Sequence, residues 1–295
     1  MMKIEKSKKS LKVLCLNIAN GMNDAQNGFS LYQRVDLITE LLNNVRPDVV
    51  IFLEANRSTF DPEGNIVSWN TIAEKIEDST NLTQKVCFRN SNDVTSLGIS
   101  CFYNSRRIPY IRVKRIELYS KGFIKSIGMN IKLNFHRKSY RFMGVHLPTH
   151  PKKRMAALDN LLKYTRYNPM DFICGDFNIY KSDVGFDMID KIEEKYDIIT
   201  NDVLSYVSFP HSYSRYKFGC TKYQPITPEL GALGSSIDLI LKPKGSIKNI
   251  VGGIINPFNY EWVNQSNQDE LFNQVVLNNT VENRLSDHFP LLVYV

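Results

Sequence analysis

The chain has 295 residues, 43% of them apolar and 23% charged, a balance that excludes a disordered, collagen-like or wholly coiled-coil polymer. That length can bury a full core without disulfide or metal staples, and the apolar runs fall far short of the ~20 residues a membrane-spanning helix needs. The net charge of +7 is uneven: residues 250–295 set Arg284 alone against Glu261, Asp269, Glu270, Glu282 and Asp287, a local −4 that leaves +11 on residues 1–249. Such a basic body suits a polyanionic partner.

Residues 1–10 form a basic lead with no apolar stretch behind it, so no secretory signal is expected and the lead is expected to be flexible. The five cysteines, Cys15, Cys87, Cys101, Cys174 and Cys220, have no zinc spacing and sit mostly in apolar runs. Reduced core thiols in a cytoplasmic or otherwise intracellular protein are the expectation. Residues 11–18 predict a first strand, followed by an Asn/Gly-rich loop. Ser30 and Gln33 form a capping box that opens a helix with Leu31, Val35, Ile38, Leu42 and Val45 on one face. Pro47 ends it, and residues 48–53 are a continuously apolar, fully covered strand.

The middle reads as hairpins, with strands at 98–103, 111–118, 126–135 and 140–147. In the third of these Ile127, Met129, Ile131, Leu133 and Phe135 alternate cleanly. Pro151 opens a helix striped by Met155, Leu158, Leu161 and Leu162; then come a buried strand at 171–175, a helix at 185–196, and strands at 236–241 and 289–295. Hairpins separated by a few helices predict an α/β protein of two mainly antiparallel sheets packed as a sandwich, with helices on the outer faces in four αββα layers. No composition break divides residues 11–295, so one domain is expected there.

Polar residues interrupt or end these apolar strands at particular places. Asn17 nears the end of the first strand, Glu54 ends VVIFLE, and His146 lies in FMGVHL. Asp176 and Asn178 stand in GDFN, Asp238 interrupts SSIDLIL, and Asp287 and His288 precede the final strand. Each has a plainer reading alone: a turn, a helix cap, a satisfied core amide or a core histidine. Together they are hard to explain so, because carboxylates are rarely buried without partners, and strand ends in layered folds converge on a crevice.

In this order LNI, LE, VHL, GDFN, ID and SDH resemble the endonuclease/exonuclease/phosphatase superfamily, over nearly the whole chain from Asn17 to His288. The resemblance implies a Mg²⁺-dependent phosphodiesterase, with Mn²⁺ a possible substitute, that drives water in line onto a phosphodiester of nucleic acid, most of all DNA. It implies Glu54 as the principal metal ligand, with Asn17 and Asp287 completing the metal's surroundings or holding its waters. Asp176 would orient or deprotonate the water, and Asn178 would fix that carboxylate and bind a phosphate oxygen. His288, backed by Asp238, would bind the scissile phosphate as an imidazolium, and His146 would add a second donor or proton carrier. The sequence departs from the pattern at Leu53, where many members have Gln, and at Ala19, where abasic-site enzymes carry Asp. Those enzymes have Tyr where this chain has His146, which leans toward the deoxyribonuclease and phosphodiesterase branches.

His146 and His150 are four apart, but Pro148 between them excludes a helical zinc pair. His136 and His211 default to solvent, and the basic runs 112–115, 137–141 and 152–154 to solvated faces. The aromatic-basic segments 163–167 and 213–219 could grip phosphates or stack bases, with Arg215, Tyr216 and Lys217 as candidate substrate contacts in the second. The alternative substrates are a phosphoinositide, a sphingolipid or a phosphotyrosyl-DNA adduct, with residues 257–262 as the best apolar membrane loop. A catalytically silent binding module on the same scaffold is the remaining reading.

Overall fold

The computed structural model describes residues 10–18, 31–60, 65–89, 97–121, 124–179, 185–200, 206–208, 233–235, 237–257, 259–263, 267 and 288–295. The expected basic lead (but for Ser10), the Ser30 cap, Asp287, Cys220, segment 213–219 with Arg215, Tyr216 and Lys217, and Phe258 of the 257–262 loop lie outside them.

The chain opens with β1 (Lys12–Asn17), α1 (Leu31–Val45) and β2 (Val49–Leu53). A short hairpin, β3 (Ser58–Phe60) and β4 (Ile66–Ser68), leads into α2 (Trp69–Ser79). Strands β5 (Thr83–Arg89) and β6 (Gly98–Tyr103) form a hairpin, and β7 (Tyr110–Lys121), β8 (Ile124–Phe135) and β9 (Lys138–His146) form a separate run of hairpins, so the expected strands 98–103 and 111–118 do not pair with each other. Then come α3 (Pro151–Tyr167), β10 (Phe172–Asp176), α4 (Gly185–Glu193) and β11 (Tyr196–Ile198). The remainder is β12 (Tyr206–Ser208), β13 (Leu233–Ser235), β14 (Asp238–Pro243), β15 (Val251–Ile255), β16 (Trp262–Val263) and β17 (Leu291–Tyr294).

Two sheets result. One runs β16-β15-β17-β1-β2-β6-β5, the other β11-β14-β10-β9-β8-β7. Each is antiparallel except for one parallel pair at its middle: β1 beside β2, and β9 beside β10. Val13, Cys15, Val49 and Ile51 of the first sheet pack against Ile127, Met129, Ile131, Phe142 and Cys174 of the second. Outside the first sheet lie α1 and α2, through Leu31, Val35, Ile38, Trp69 and Ile72. Outside the second lie α3 and α4, through Leu158, Leu161, Met188 and Ile192. The architecture is the expected four-layer αββα sandwich. Among the described residues no helix is long and apolar enough to cross a membrane.

Local chemistry accounts for the helix limits. Pro151 starts α3 at a position that tolerates it, with His150 at the N-cap making no side-chain capping bond. Helix α1 stops at Val45, where Arg46 turns to φ +52 before Pro47. The expected helix at 185–196 ends early, at Glu193, because Tyr196 begins an edge strand paired with Pro243 of β14. Helix α2, absent from the sequence reading, is capped by Ser68, whose side chain accepts the Thr71 N–H.

Candidate active site

The two parallel strand pairs end at the same edge of the sandwich, and their last residues are the candidate site. In the second sheet His146 of β9 is in register with Asp176 of β10, and Asp176 with Asp238 of β14. One row thus presents an imidazole and two carboxylates side by side. In the first sheet Asn17 ends β1 beside Leu53, and Glu54 follows directly.

Glycine lets each acid take its place. Gly175 has φ +146, and a Cβ there would lie 2.0 Å from the Val145 carbonyl oxygen of the neighbouring strand. Behind Glu54, a Cβ at Gly98 would lie 2.5 Å from the Ala55 carbonyl oxygen, so only glycine lets β6 hold that turn. Glu54 and Asn178 themselves adopt left-handed backbone, φ +59 and +52, a strain on the order of 1–3 kcal/mol each that clusters at functional sites.

Asp176 is the hub, and it is 1% exposed. Its Oδ1 accepts the Asn178 backbone N–H at 2.8 Å, and its Oδ2 accepts the Asn17 amide N–H at 3.0 Å. The same Asn17 nitrogen donates to Glu54 Oε1 at 3.0 Å, so one amide ties the two sheets' acids together. His146 Nε2 lies 3.5 Å from Glu54 Oε1 and 3.6 Å from Asp176 Oδ2. His288 meets Asp238 Oδ2 through Nδ1 at 2.9 Å, leaving its Nε2 3.9 Å from Asp176 Oδ2. Glu54 and His146 keep 19% and 15% of their side chains exposed while Asp176 keeps 2%, so solvent reaches the cluster past the first two.

Beneath this row lie two thiols, Cys15 two residues before Asn17 and Cys174 two before Asp176. Burial pushes the Cys15 thiol well up, helped by its hydrogen bond with Cys174 and by the charges of Asp238 and Asp176.

The structure brings together Asn17, Glu54, His146, Asp176, Asn178, Asp238 and His288. The Asn178 side chain differs in detail from the expectation: its amide donates to the Leu147 carbonyl at 2.9 Å, and its backbone N–H is what holds Asp176. Sequence reasoning missed Ser126, whose hydroxyl donates to the His146 carbonyl at 2.7 Å, and Thr200, which accepts the Ile240 N–H beside Asp238. Neither carries a local signal, because both act across a strand ladder.

Charge and donor type suit a hard divalent cation. Glu54, His146 and Asp176 offer ligand atoms within 4.8 Å of one another, as do Asp176, Asp238 and His288. Converging carboxylate oxygens repel one another unless a proton or cation lies between them.

No protein-family model and no curated protein matches the sequence. Solved structures do match in shape: the chain has the endonuclease/exonuclease/phosphatase fold. It is similar to an endonuclease/exonuclease/phosphatase from Bacteroides vulgatus, at 13% identity and TM-score 0.61 over 97% of this chain and 98% of that one. A mannosyl-6-phosphatase from Bacteroides thetaiotaomicron gives 14% identity and TM-score 0.62 over 97% and 100%. D. rerio TDP2, in complex with a single-strand DNA product, gives 13% and 0.60 over 97% and 98%.

Proposed function

We propose that this protein is a divalent-metal-dependent phosphodiesterase acting on nucleic acid, DNA above all, with residues 11–295 as one catalytic domain. The observation that carries the reading is the buried Asp176 carboxylate, flanked in register by His146 and Asp238 and met from the other sheet by Asn17. Glu54 and the Asn17 amide would hold Mg²⁺ or Mn²⁺, with Asp287 outside the described residues. The bound cation would neutralise phosphate charge and make water a better nucleophile.

The chain's own groups supply the rest. The Asn178 N–H fixes Asp176 Oδ1, while Oδ2, held by the Asn17 amide and 3.6 Å from His146 Nε2, would take the proton of an attacking water. Asp238 holds His288 by Nδ1, so that Nε2, when protonated, donates to a phosphate oxygen as charge builds in the transition state. His146 Nε2, within reach of both acids, is the second donor or proton carrier.

Plasmid nicking with Mg²⁺ against EDTA tests this. Cleavage should need the metal and should fall in Asp176→Ala and His288→Ala; an inert wild type, or fully active variants, would overturn it. The likeness to a mannosyl-6-phosphatase favours a small phosphate ester as the second reading. Phosphate release from sugar or inositol phosphates without nicking would select that one.

A further inference from the structure

The outer face of the second sheet is covered unevenly. Ile116, Met143 and Val145 lie beneath α3 with Leu158, Leu161 and Leu162. The cover thins in the helix's last turn, where the Tyr164 hydroxyl accepts the Asn130 amide N–H at 2.8 Å. Toward the far end of the sheet β7, β8 and β9 align as Lys114–Asn130–Met143, Arg112–Lys132–Arg141 and Tyr110–Asn134–Ser139. Partners directly across a ladder share a face, as do residues two apart on one strand. The three rows therefore form one grid holding four cations, a tyrosine and no acid.

Arg112, Lys114, Lys132, Asn134 and Ser139 are exposed, and Tyr110 is 53% exposed. Among the described residues no carboxylate forms an ion pair with any of the four cations; the acid of β7, Glu117, pairs with Arg115 on the opposite face. Like charges set directly opposite each other cost stability. Two basic runs that look like separate solvated faces in the sequence are joined by the register, with Lys132 between them.

We infer that this grid is an exosite for single-stranded nucleic acid, its cations taking backbone phosphates and Tyr110 stacking a base. A duplex hides its base faces from a tyrosine. A lipid surface would need aliphatic side chains, and the one in the grid, Met143, is buried under α3. The inference deepens the proposed nucleic-acid reading: Arg141 stands five residues before His146 on β9, about 17 Å along the strand at ~3.4 Å per residue and on the opposite face of the sheet, so the grid is separate from the site itself.

The test is the anisotropy of a labelled single strand of about 20 nucleotides, in EDTA so that nothing is cleaved. R112Q/K132Q/R141Q should weaken binding about tenfold or more and lower the salt slope by about 2. Its melting temperature should be unchanged or raised, and K132Q alone should give part of the same loss. K75Q/K85Q/K244Q, with the same net charge, should bind as wild type does. Y110A should weaken the oligonucleotide about fivefold or more and leave inorganic polyphosphate unaffected. Equal losses in the two triple variants, no loss in either, no wild-type binding, or no difference between oligonucleotide and polyphosphate in Y110A would each overturn the inference. Hydrolysis of a small chromogenic phosphodiester should be unchanged in the grid variant. A wild type that binds through the grid but cleaves nothing would sink the proposed function and leave the exosite. Cleavage with grid-independent binding would do the reverse.

Discussion

Two buried carboxylates, Asp48 before β2 and Asp176 at the end of β10, are treated differently. At the far end Asp48, wholly buried, accepts the Lys12 backbone N–H at 2.9 Å and the Arg107 guanidinium at 2.6 Å. At the site end Asp176 is met by an amide, a backbone N–H and two imidazoles, with Glu54 and Asp238 close by. One acid is neutralised by a guanidinium of its own chain; the others crowd together as though a cation or a charged reactant completes them. Burial alone does not separate a structural acid from a working one. The partner does.

The comparison breaks most sharply at Asp176. Asp176→Asn keeps the shape and should lower phosphodiester cleavage by about 10³-fold, at the middle of the general-base range, in a nicking assay. In EDTA the same variant should melt above wild type, because it relieves repulsion between neighbouring acids; a lower melting temperature would contradict the crowded-acid reading. Gly175→Ala should cost about 3 kcal/mol in urea unfolding, since the added carbon meets backbone rather than a movable side chain. Adding Mg²⁺ at about 100 times its Kd should stabilise wild type by ~2.7 kcal/mol, and Glu54→Gln should lose most of that shift.

At the other end, Arg107→Met should cost about 2 kcal/mol, less than a fully buried pair because the guanidinium is 33% exposed, and leave cleavage unchanged. Its pH dependence has a fixed sign. Burial holds the Asp48 carboxyl above its ordinary range even with Arg107 and Lys12 beside it, so ionising that carboxyl already costs stability. Without Arg107 the cost grows. The deficit should therefore be largest at neutral pH and shrink on acidification as Asp48 takes up its proton.

Strands with strict alternation or full apolar cover were legible in the sequence: Ile127, Met129, Ile131, Leu133 and Phe135 all face the space between the sheets, and 98–103 matches β6 residue for residue. The hairpin β3–β4 and the strand β5 were not. The first is two three-residue strands, and β5 is a half-buried edge whose alternation is broken by a bulge between Gln84 and Val86. Helix α2 carries only Trp69, Ile72, Ala73 and Ile76 as its buried stripe, a short signal among polar neighbours. The site acids could be picked out because a carboxylate in an apolar strand is anomalous within a few residues. How they meet could not, since the Asn17 amide reaches Asp176 across the sandwich and Glu54 depends on left-handed backbone. Nor could the basic grid, which exists only once three strands are laid in register.

The position of β17 bears on synthesis. It lies between β1 and β15, in the interior of the first sheet, although it comes from the last stretch of the sequence. A ribosome delivers β1 well before β17, so one side of β1 waits open until β17 follows, and His288 reaches Asp238 only as that gap is filled.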